Sequence, residues 1–554
     1  MIKNRLSQQC ELKTVSELIG YLTGLIESDL SQTDFTETDL SDGQQKLADL
    51  TVDSRMVKTN DCFIALQGER VHGLDFLATI LVKNPAFILS DKALNAEQKA
   101  LLTSSQPTCA VFVLKNLASY LAALANWFYD QPSQRIKVVG ITGTNGKTST
   151  AFYTAQLLDS LGEKTALIGT LGNGLYQHGV VNSLTATLNT TPDVVTVYRL
   201  LAEFIEQGAL WVVMEVSSHA LELGRVSGVE FETVAFTQIT RDHIDFHGSV
   251  EAYQQAKSKL FTEYASRHQV LNTNDVFSLQ LVQADLKDIW TYAIKGLDTY
   301  GNKAVNLSCD KLELNVHGMA LLLKVGLSKL AQDHEPMTSV PLMGAFNVEN
   351  VLCALSIVLV SHNELEQKER WTKLSLALTE LQSVEGRMQQ IQLSSQESNQ
   401  PPQHCPTVIV DFAHTPDALE QVLVSVKQHL TGGNSGDLWV LFGCGGDRDQ
   451  GKRPLMASVA ESIADKVMVT SDNPRFENPQ QIITQIMTGF DKASLVAVEP
   501  DREKAILGLL SKVKQNDIVV IAGKGHERYQ DIKGVKTPFN DAQIALDWMK
   551  QNGG

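Results

Sequence analysis

The chain has 554 residues, 43% of them hydrophobic and 20% charged, which excludes a disordered protein and leaves room for about three to four domains. A formal charge of −16 argues against a nucleic-acid coat, so any anionic ligand must be held by local Arg and Lys. No signal-peptide core opens the sequence and no run approaches the ~20 apolar residues of a membrane span, so a cytoplasmic protein without membrane insertion is expected. Seven cysteines, an odd number without a Cys-x-x-Cys pair, read as reduced thiols rather than as zinc ligands or disulfides.

Residues 1–135 predict a small α/β domain, with the turn Thr51-Val-Asp-Ser-Arg55, an apolar strand Cys62–Leu66 and the turn Gly68-Glu-Arg-Val-His-Gly73. The segment Glu27–Asp42 carries acids and no base, and reads as a solvated loop or insertion. Asp53-Ser54-Arg55 alone is as well explained by local turn hydrogen bonding as by a function.

From residue 136 the pattern turns to strand, turn and helix in repetition, which predicts a mostly parallel sheet with ligands at the carboxyl ends of its strands. The apolar run from Val138 leads into Gly143-Thr-Asn-Gly-Lys-Thr-Ser149. Gly143 and Gly146 free backbone N–H groups to turn inward around a phosphate, flanked by Thr144 and Asn145. Lys147 can reach the outer phosphates, and Thr148 can ligate Mg²⁺ at a positive helix N-terminus. ATP or GTP is the expected ligand. The loop is a variant, because Ile141 stands where the usual pattern has its first glycine. The plain alternative is a Gly-rich turn without a ligand. The following helix should bury Ala151, Ala155 and Leu158 and stop at Gly162.

A second strand, Leu210–Met214, runs into Glu215-Val-Ser-Ser-His219, which places a carboxylate where it can hold Mg²⁺; a strand-end cap is the bland reading. A third, Val234–Thr237, ends near Thr240-Arg-Asp-His-Ile-Asp-Phe-His247, whose crowded His and Asp suggest metal or phosphate chemistry, with His243 as a ligand. Pro341–Ala354 opens a helix whose first turn should expose Asn347 and Asn350 on one side. Ser383-Val-Glu-Gly-Arg-Met388 reads as a hinge into a third domain, and 393–406 as an insertion within it.

The third domain has apolar strands at Val408–Val410, Leu438–Leu441, Val467–Val469, Val496–Val498 and Ile518–Ile521, each ending in polar residues. Gly443-Cys-Gly-Gly tempts towards a dinucleotide fingerprint, but its third glycine would fall on Arg448, which excludes NAD. What remains is an α/β sheet with Arg448, Arg475 and Glu527 at its mouth, suited to a zwitterion.

Seven ordered motifs resemble those of the Mur ligases from about residue 50 to the end. They are Gly143-Thr-Asn-Gly-Lys-Thr, Glu215-Val-Ser-Ser-His, Thr240-Arg-Asp-His-Ile-Asp-Phe-His-Gly, Phe346-Asn-Val-Glu-Asn, Gly386-Arg-Met, Asp411-Phe-Ala-His-Thr-Pro-Asp and Gly523-Lys-Gly-His-Glu. The resemblance implies an α/β chain of three domains: 1–135 for the UDP-sugar, 136–384 with the phosphate loop for ATP, and a Rossmann-like 385–554 for the amino acid. By position, Val52, Ser54 and the turn Glu69-Arg70-Val71-His72 would contact the UDP end, and Asn189, Thr190, Thr191, Ser217 and Arg225 the muramoyl dipeptide. Leu223 stands where some relatives have Gln, so no polar contact is assigned there. Lys257, which the sequence alone makes a solvated helical lysine, falls where the family carries a carbamylated lysine that helps bind the second Mg²⁺. Asn347, Arg387 and Asp411 would lie around the nucleotide.

The same resemblance implies peptidoglycan precursor synthesis in a bacterial cytoplasm, by a monomer, through an acyl phosphate on the D-glutamate side chain. Lys147, Glu215, His243 and Lys257 would serve the transfer. Asp472-Asn473-Pro474-Arg475 resembles the signature of members that add meso-diaminopimelate rather than L-lysine. Arg475 would grip the distal carboxylate, Glu527 the ammonium on the same carbon, and Arg448 and Gly523 complete the pocket; the bland alternative is an Asn-Pro turn. Folylpolyglutamate synthase shares the loop but fits the first domain and the 472–475 motif poorly. A nucleotide-gated binding module is the rival from another class.

Overall fold

The structure, a computed structural model of the chain, describes residues 12–27, 43–68, 70–104, 109–177, 180–185, 189–240, 242–283, 288–294, 305–326, 337–362, 367–391, 405–430 and 436–552. Glu69, residues 28–42 of the acidic segment 27–42 and residues 393–404 of the insertion 393–406 lie outside them. The chain forms two compact units, one of 1–147, 162–271 and 275–289, the other of 148–161, 272–274 and 290–554.

In the first unit, strands β1 (Leu50–Thr51), β2 (Cys62–Ala65), β3 (Phe87–Ser90) and β4 (Ala110–Val113) pair in parallel in chain order. The strand anticipated at Cys62–Leu66 is thus present as β2. Next come β5 (Lys137–Thr142), β6 (Thr165–Gly169), β7 (Gly172–Gln177), β8 (Val180–Thr185), β9 (Trp211–Glu215), β10 (Phe231–Phe236) and β11 (Ser266–Asn272). Their order is β11-β10-β5-β9-β6-β7-β8, parallel from β11 to β6 and antiparallel beyond. Every residue of β9 is buried, as a parallel strand covered on both faces requires.

In the second unit, β12 (Ile289–Ile294) pairs in parallel with β13 (Leu307–Asn315), followed by the antiparallel β14 (Gly318–Val325) and β15 (Thr338–Val340). A further sheet has the order β16 (Gln389–Gln390), β17 (Thr407–Asp411), β21 (Ile518–Ala522), β18 (Leu438–Phe442), β19 (Lys466–Val469) and β20 (Ala497–Val498). It is parallel except for β16, as the five apolar runs predicted. A hairpin of β22 (Tyr529–Ile532) and β23 (Val535–Pro538) stands apart from that sheet. The predicted helix after the loop spans Lys147–Ser160 and buries Ala151, Ala155 and Leu158, with Gly162 left-handed at φ +81° beyond its end. Six cysteines, at 62, 109, 309, 353, 405 and 444, are free thiols among the described residues. None of the described helices is long and apolar enough to cross a membrane.

Candidate functional site

Register sets the phosphate loop in place. Ile141 of β5 pairs with Glu215 of β9, and Thr142 with Phe236 of β10, so three carboxyl ends lie level where the loop begins. Gly143 has φ +148°, and a Cβ there would sit 1.9 Å from the Thr237 hydroxyl, so the position admits no side chain. The Thr144 N–H donates to the Gln238 carbonyl (2.7 Å), the Thr237 hydroxyl donates to the Asn145 carbonyl (2.6 Å), and the Thr240 N–H donates to the Thr144 hydroxyl (2.9 Å). The segment after β10 therefore shapes the loop, while Asn145 stays exposed.

Two lysines converge on one oxygen. The Lys147 ammonium donates to the carbonyls of Gly143 and Thr144 at 2.8 Å each, and Lys257 donates to that same Gly143 carbonyl at 2.7 Å. Lys257 is only 2% exposed, with its Nζ 4.7 Å from the centre of the Tyr253 ring. Burial first, and Lys147 second, pull its proton affinity well below the ordinary lysine range. The solvated lysine expected from the sequence alone is corrected here, and a signal for it existed. Tyr253, Ala256 and Leu260 form an apolar stripe at i, i+3 and i+7 on helix Val250–Thr262, and Lys257 borders it.

Glu215 is buried at the end of β9, where the Thr170 N–H donates to one carboxylate oxygen (2.8 Å) and the Thr170 hydroxyl to the other (3.2 Å). Gly169 gives it room, since a Cβ there would lie 2.4 Å from Oε1. Sequence reasoning missed Thr170 and Gly169, which are separated from β9 and its Glu215 by two strands and a helix. His243, left-handed at φ +52°, is about half exposed, and its ring centre lies 4.8 Å from that of His219. Burial and the neighbouring His243 lower the proton affinity of His219. Among the described residues no three His, Cys, Asp or Glu side chains cluster as a metal centre. Glu215 and the Thr148 hydroxyl are hard oxygen donors of the kind Mg²⁺ takes, and the Lys257 amine is not one unless it becomes a carbamate.

Thr191, Ser217 and Arg225 come together beside Glu215. The Thr191 hydroxyl donates to the Glu215 carbonyl (2.8 Å) and accepts from the Ser217 N–H (3.1 Å), and Arg225 Nη1 donates to the Thr191 carbonyl (3.1 Å). Thr190 lies 3.4 Å from Thr170 through their hydroxyls, and Asn189 is exposed. Leu223, assigned no polar contact, is 56% exposed. In the first domain Val52 and Ser54 are half-buried and Arg70 and Val71 exposed, but His72 is buried. His72 Nδ1 accepts from the Leu74 N–H (3.0 Å) and Nε2 meets Asp91 (2.6 Å), so its ring is occupied within the fold.

In the second unit the expectation that Asn347 and Asn350 are exposed is overturned: they are 3% and 6% exposed. Asn350 Nδ2 donates to Asn347 Oδ1 (3.0 Å), Tyr153 donates to the same oxygen (3.2 Å), and Asn347 Nδ2 donates to the Met343 carbonyl (2.7 Å). The two amides do share a side, as their spacing predicted. The helix Phe346–Val360 is apolar nearly all round, the mark of a buried helix, and that is why its first turn is covered.

Asp411, at the end of β17, accepts from the N–H groups of Met388 and Ala413, both at 2.7 Å. Burial nonetheless raises its pKa above the usual carboxylate value. Gly386 packs so closely on Gly525 and His526 that a Cβ would meet the His526 nitrogen at 2.1 Å, while Arg387 is exposed. The Gly386, Asp411 and Gly523 motifs thus meet at one end of this sheet.

Beside them lies the 472–475 segment. Asn473 Oδ1 accepts from Lys524 Nζ (2.8 Å) and the Asp531 N–H (2.9 Å), and its Nδ2 donates to Glu527 (2.7 Å). Lys524, fully buried, also lies 3.5 Å from Asp472 and 3.6 Å from Glu527. Arg475 Nη1 donates to the Gly446 carbonyl (2.7 Å), and a Cβ on Gly446 would strike the Pro474 carbonyl at 2.0 Å. Gly523 is left-handed at φ +115°, and Arg448 is exposed. Lys524 is the residue sequence reasoning missed, because a lysine between two glycines carries no local sign of burial.

Family patterns match twice: the Mur ligase middle domain over residues 141–358 and the Mur ligase glutamate ligase domain over 386–525. The UDP-N-acetylmuramoyl-L-alanyl-D-glutamate–2,6-diaminopimelate ligase of Chromobacterium violaceum is 42% identical over 495 residues, 89% of this chain and 92% of its own. The protein of that name from Pseudomonas aeruginosa is 39% identical over 500 residues, 90% of this chain and 94% of its own. A solved structure of such a ligase superposes with a TM-score of 0.64 at 30% identity, over 97% of this chain and 99% of that one.

Proposed function

The chain belongs to the Mur ligase family, and from that premise we propose that it is an ATP-dependent ligase joining meso-diaminopimelate to the D-glutamate of UDP-N-acetylmuramoyl-L-alanyl-D-glutamate. The observation that carries the reading is the convergence of Lys147 and Lys257 on the Gly143 carbonyl at a strand end, level with the buried Glu215. Such a place suits a polyphosphate, whose charge the Lys147 ammonium and a glycine-rich loop can offset while Lys257 is left to hold metal as a carbamate. The γ-phosphoryl group passes to the D-glutamate side-chain carboxylate, with ADP leaving. The amine then attacks the acyl carbon and phosphate leaves. Positioning and charge neutralisation account for most of such a step.

Lys147 steadies the transferred group, with Gly143, Thr144, Asn145, Gly146, Thr148 and Ser149 around the phosphates. Glu215, His243 and Thr148 would hold two Mg²⁺ ions, which when bound draw charge from the phosphate oxygens. The lowered proton affinity of Lys257 favours the neutral amine, the form that adds to carbon dioxide, giving up a proton to become a carbamate with two oxygen donors. Thr190, Thr191, Ser217 and Arg225 would hold the dipeptide, and Val52, Ser54 and the 69–72 turn the uridine end. Asn347, Arg387 and Asp411 keep the nucleotide role the resemblance implies. Three domains divided near 135 and 384, acting as a cytoplasmic monomer, complete the proposal.

The test is to incubate the protein with ATP, Mg²⁺, the UDP-muramoyl dipeptide and candidate amino acids, and to weigh the product. One added diaminopimelate, with phosphate released only when dipeptide and amine are both present, is expected. Phosphate release without amine, or no product with diaminopimelate, would sink the reading. Lys257→Ala should be nearly inactive and regain rate with added short carboxylic acids, whose oxygens can fill the place of the carbamate.

A further inference from the structure

The hairpin of β22 and β23 has little of its own to hold it. Every residue of β23 is exposed, Val535 at 63%, and β22 is half-buried at most. An isolated two-stranded hairpin is marginal in water. Among the described residues, its hydrogen bonds outside itself run largely to one place, the 472–475 segment. Gln530 Nε2 donates to the Asp472 carbonyl (2.8 Å), the Asp531 N–H to Asn473 Oδ1 (2.9 Å), the Arg475 N–H to the Asp531 carbonyl (3.0 Å), and the Lys533 N–H to the Arg475 carbonyl (2.7 Å). Arg475 and Ile532 form a one-residue parallel bridge.

The grip matters because Arg475 is a non-glycine residue at φ +48°, a conformation that persists only where its surroundings impose it. That backbone, with the Nη1 bond to the Gly446 carbonyl, fixes where the guanidinium points. The hairpin in turn depends on its two-residue connection, Lys533 at φ +53° and Gly534 at φ +78°. Positive φ at both central residues is the type I′ turn that suits the twist of paired strands. We infer that the β22–β23 hairpin is a positioning element for amine selection: its I′ turn holds Arg475 in the conformation that aims the guanidinium, and so sets the preference for an amine carrying a second carboxylate. This rests on the diaminopimelate reading given above.

Gly534→Val strains the turn at a positive φ, and its Cβ would lie 3.3 Å from the Phe476 ring. It should lower kcat/KM for diaminopimelate by about ten- to a hundredfold, mainly through KM, since a misplaced clamp costs on that order. Lysine use and the KM for ATP should stay within about twofold of the unaltered chain, because neither depends on a carboxylate reaching Arg475. Lys533→Asn makes the Asn-Gly pair that type I′ turns prefer, and should keep full selectivity. Gly534→Asn, whose residue tolerates positive φ, should fall between them. Thermal melting of each variant separates unfolding from misaiming. Unchanged amine selectivity in a folded Gly534→Val, an equal fall for both amines, or lost selectivity in Lys533→Asn overturns the inference alone. Equal use of the two amines by the unaltered chain overturns the substrate reading and the inference together.

Discussion

At the phosphate loop, Lys147 and Lys257 share a neutral main-chain oxygen, that of Gly143. Around Arg475, the buried cation Lys524 instead sits among the side chains of Asn473, Asp472 and Glu527. The first arrangement brings two amines together: burial first lowers the proton affinity of Lys257, and the neighbouring Lys147 lowers it further. On the proposed reading an anion completes it. The second is nearly balanced before anything binds, so on the proposed reading it would select by shape and by matching fixed charges. One region should govern rate and the other choice of substrate, because charge developing in a transition state is met at the first and a standing charge pattern at the second.

The comparison breaks most visibly at Arg475. Arg475→Ala should cut kcat/KM for diaminopimelate by roughly 30- to 5000-fold, the range for losing one partner of a buried charge pair at about 2–5 kcal/mol. It should change the poor use of lysine little. Steady-state kinetics with each amine decides the matter, and an equal loss for both would mean that Arg475 supports the fold and does not choose. The next largest effect is expected at the other region. Lys147→Ala should lower kcat on the order of 10²- to 10³-fold for both amines alike, as loss of one electrostatic stabiliser does. A variant that changed the ratio between amines would blur the division between rate and choice.

The two regions also differ in how much of them the sequence revealed. The phosphate loop works through main-chain groups, and its glycines, its lysine and the apolar strand before them are contiguous, so strand β5, the helix Lys147–Ser160 and the loop between them could be read locally. The strands β9, β10, β17, β18 and β21 were legible for the same reason, each a largely buried run ending in polar residues. The support for Glu215 was not, because Thr170 reaches it only through the pairing of β6 with β9. Around Arg475 the network joins residues 472–475 to 524–533, and no periodicity within either segment announces a hairpin gripping a left-handed arginine. The spacing of Asn347 and Asn350 tells which side they share but not that it is covered, because a helix apolar nearly all round buries its amides and satisfies them internally.

The smallest effect expected, on stability, is the most direct gauge of the charge at the loop. Lys257→Met replaces a buried amine by an apolar side chain of similar length, and should stabilise the unmodified chain by about 1–2 kcal/mol while abolishing activity, since a buried ion often costs more than an apolar replacement. The sign with pH follows from the lowered proton affinity. The folded chain holds the Lys257 proton less tightly than the unfolded chain, whose lysines titrate near 10.4, so protonation favours unfolding. Stability of the unmodified chain therefore rises with pH through the window below that value, and the advantage of Lys257→Met should shrink as pH approaches it. Bicarbonate should act in the same direction by a different route, because a carbamate at Lys257 turns repulsion from Lys147 into attraction. Melting curves of both chains at several pH values, with and without bicarbonate, measure these terms. A Lys257→Met chain that melts below the unaltered chain at neutral pH without bicarbonate would mean that the lysine contributes to the fold as an ordinary buried donor, and the contrast between a charged loop and a balanced pocket would lose its physical basis.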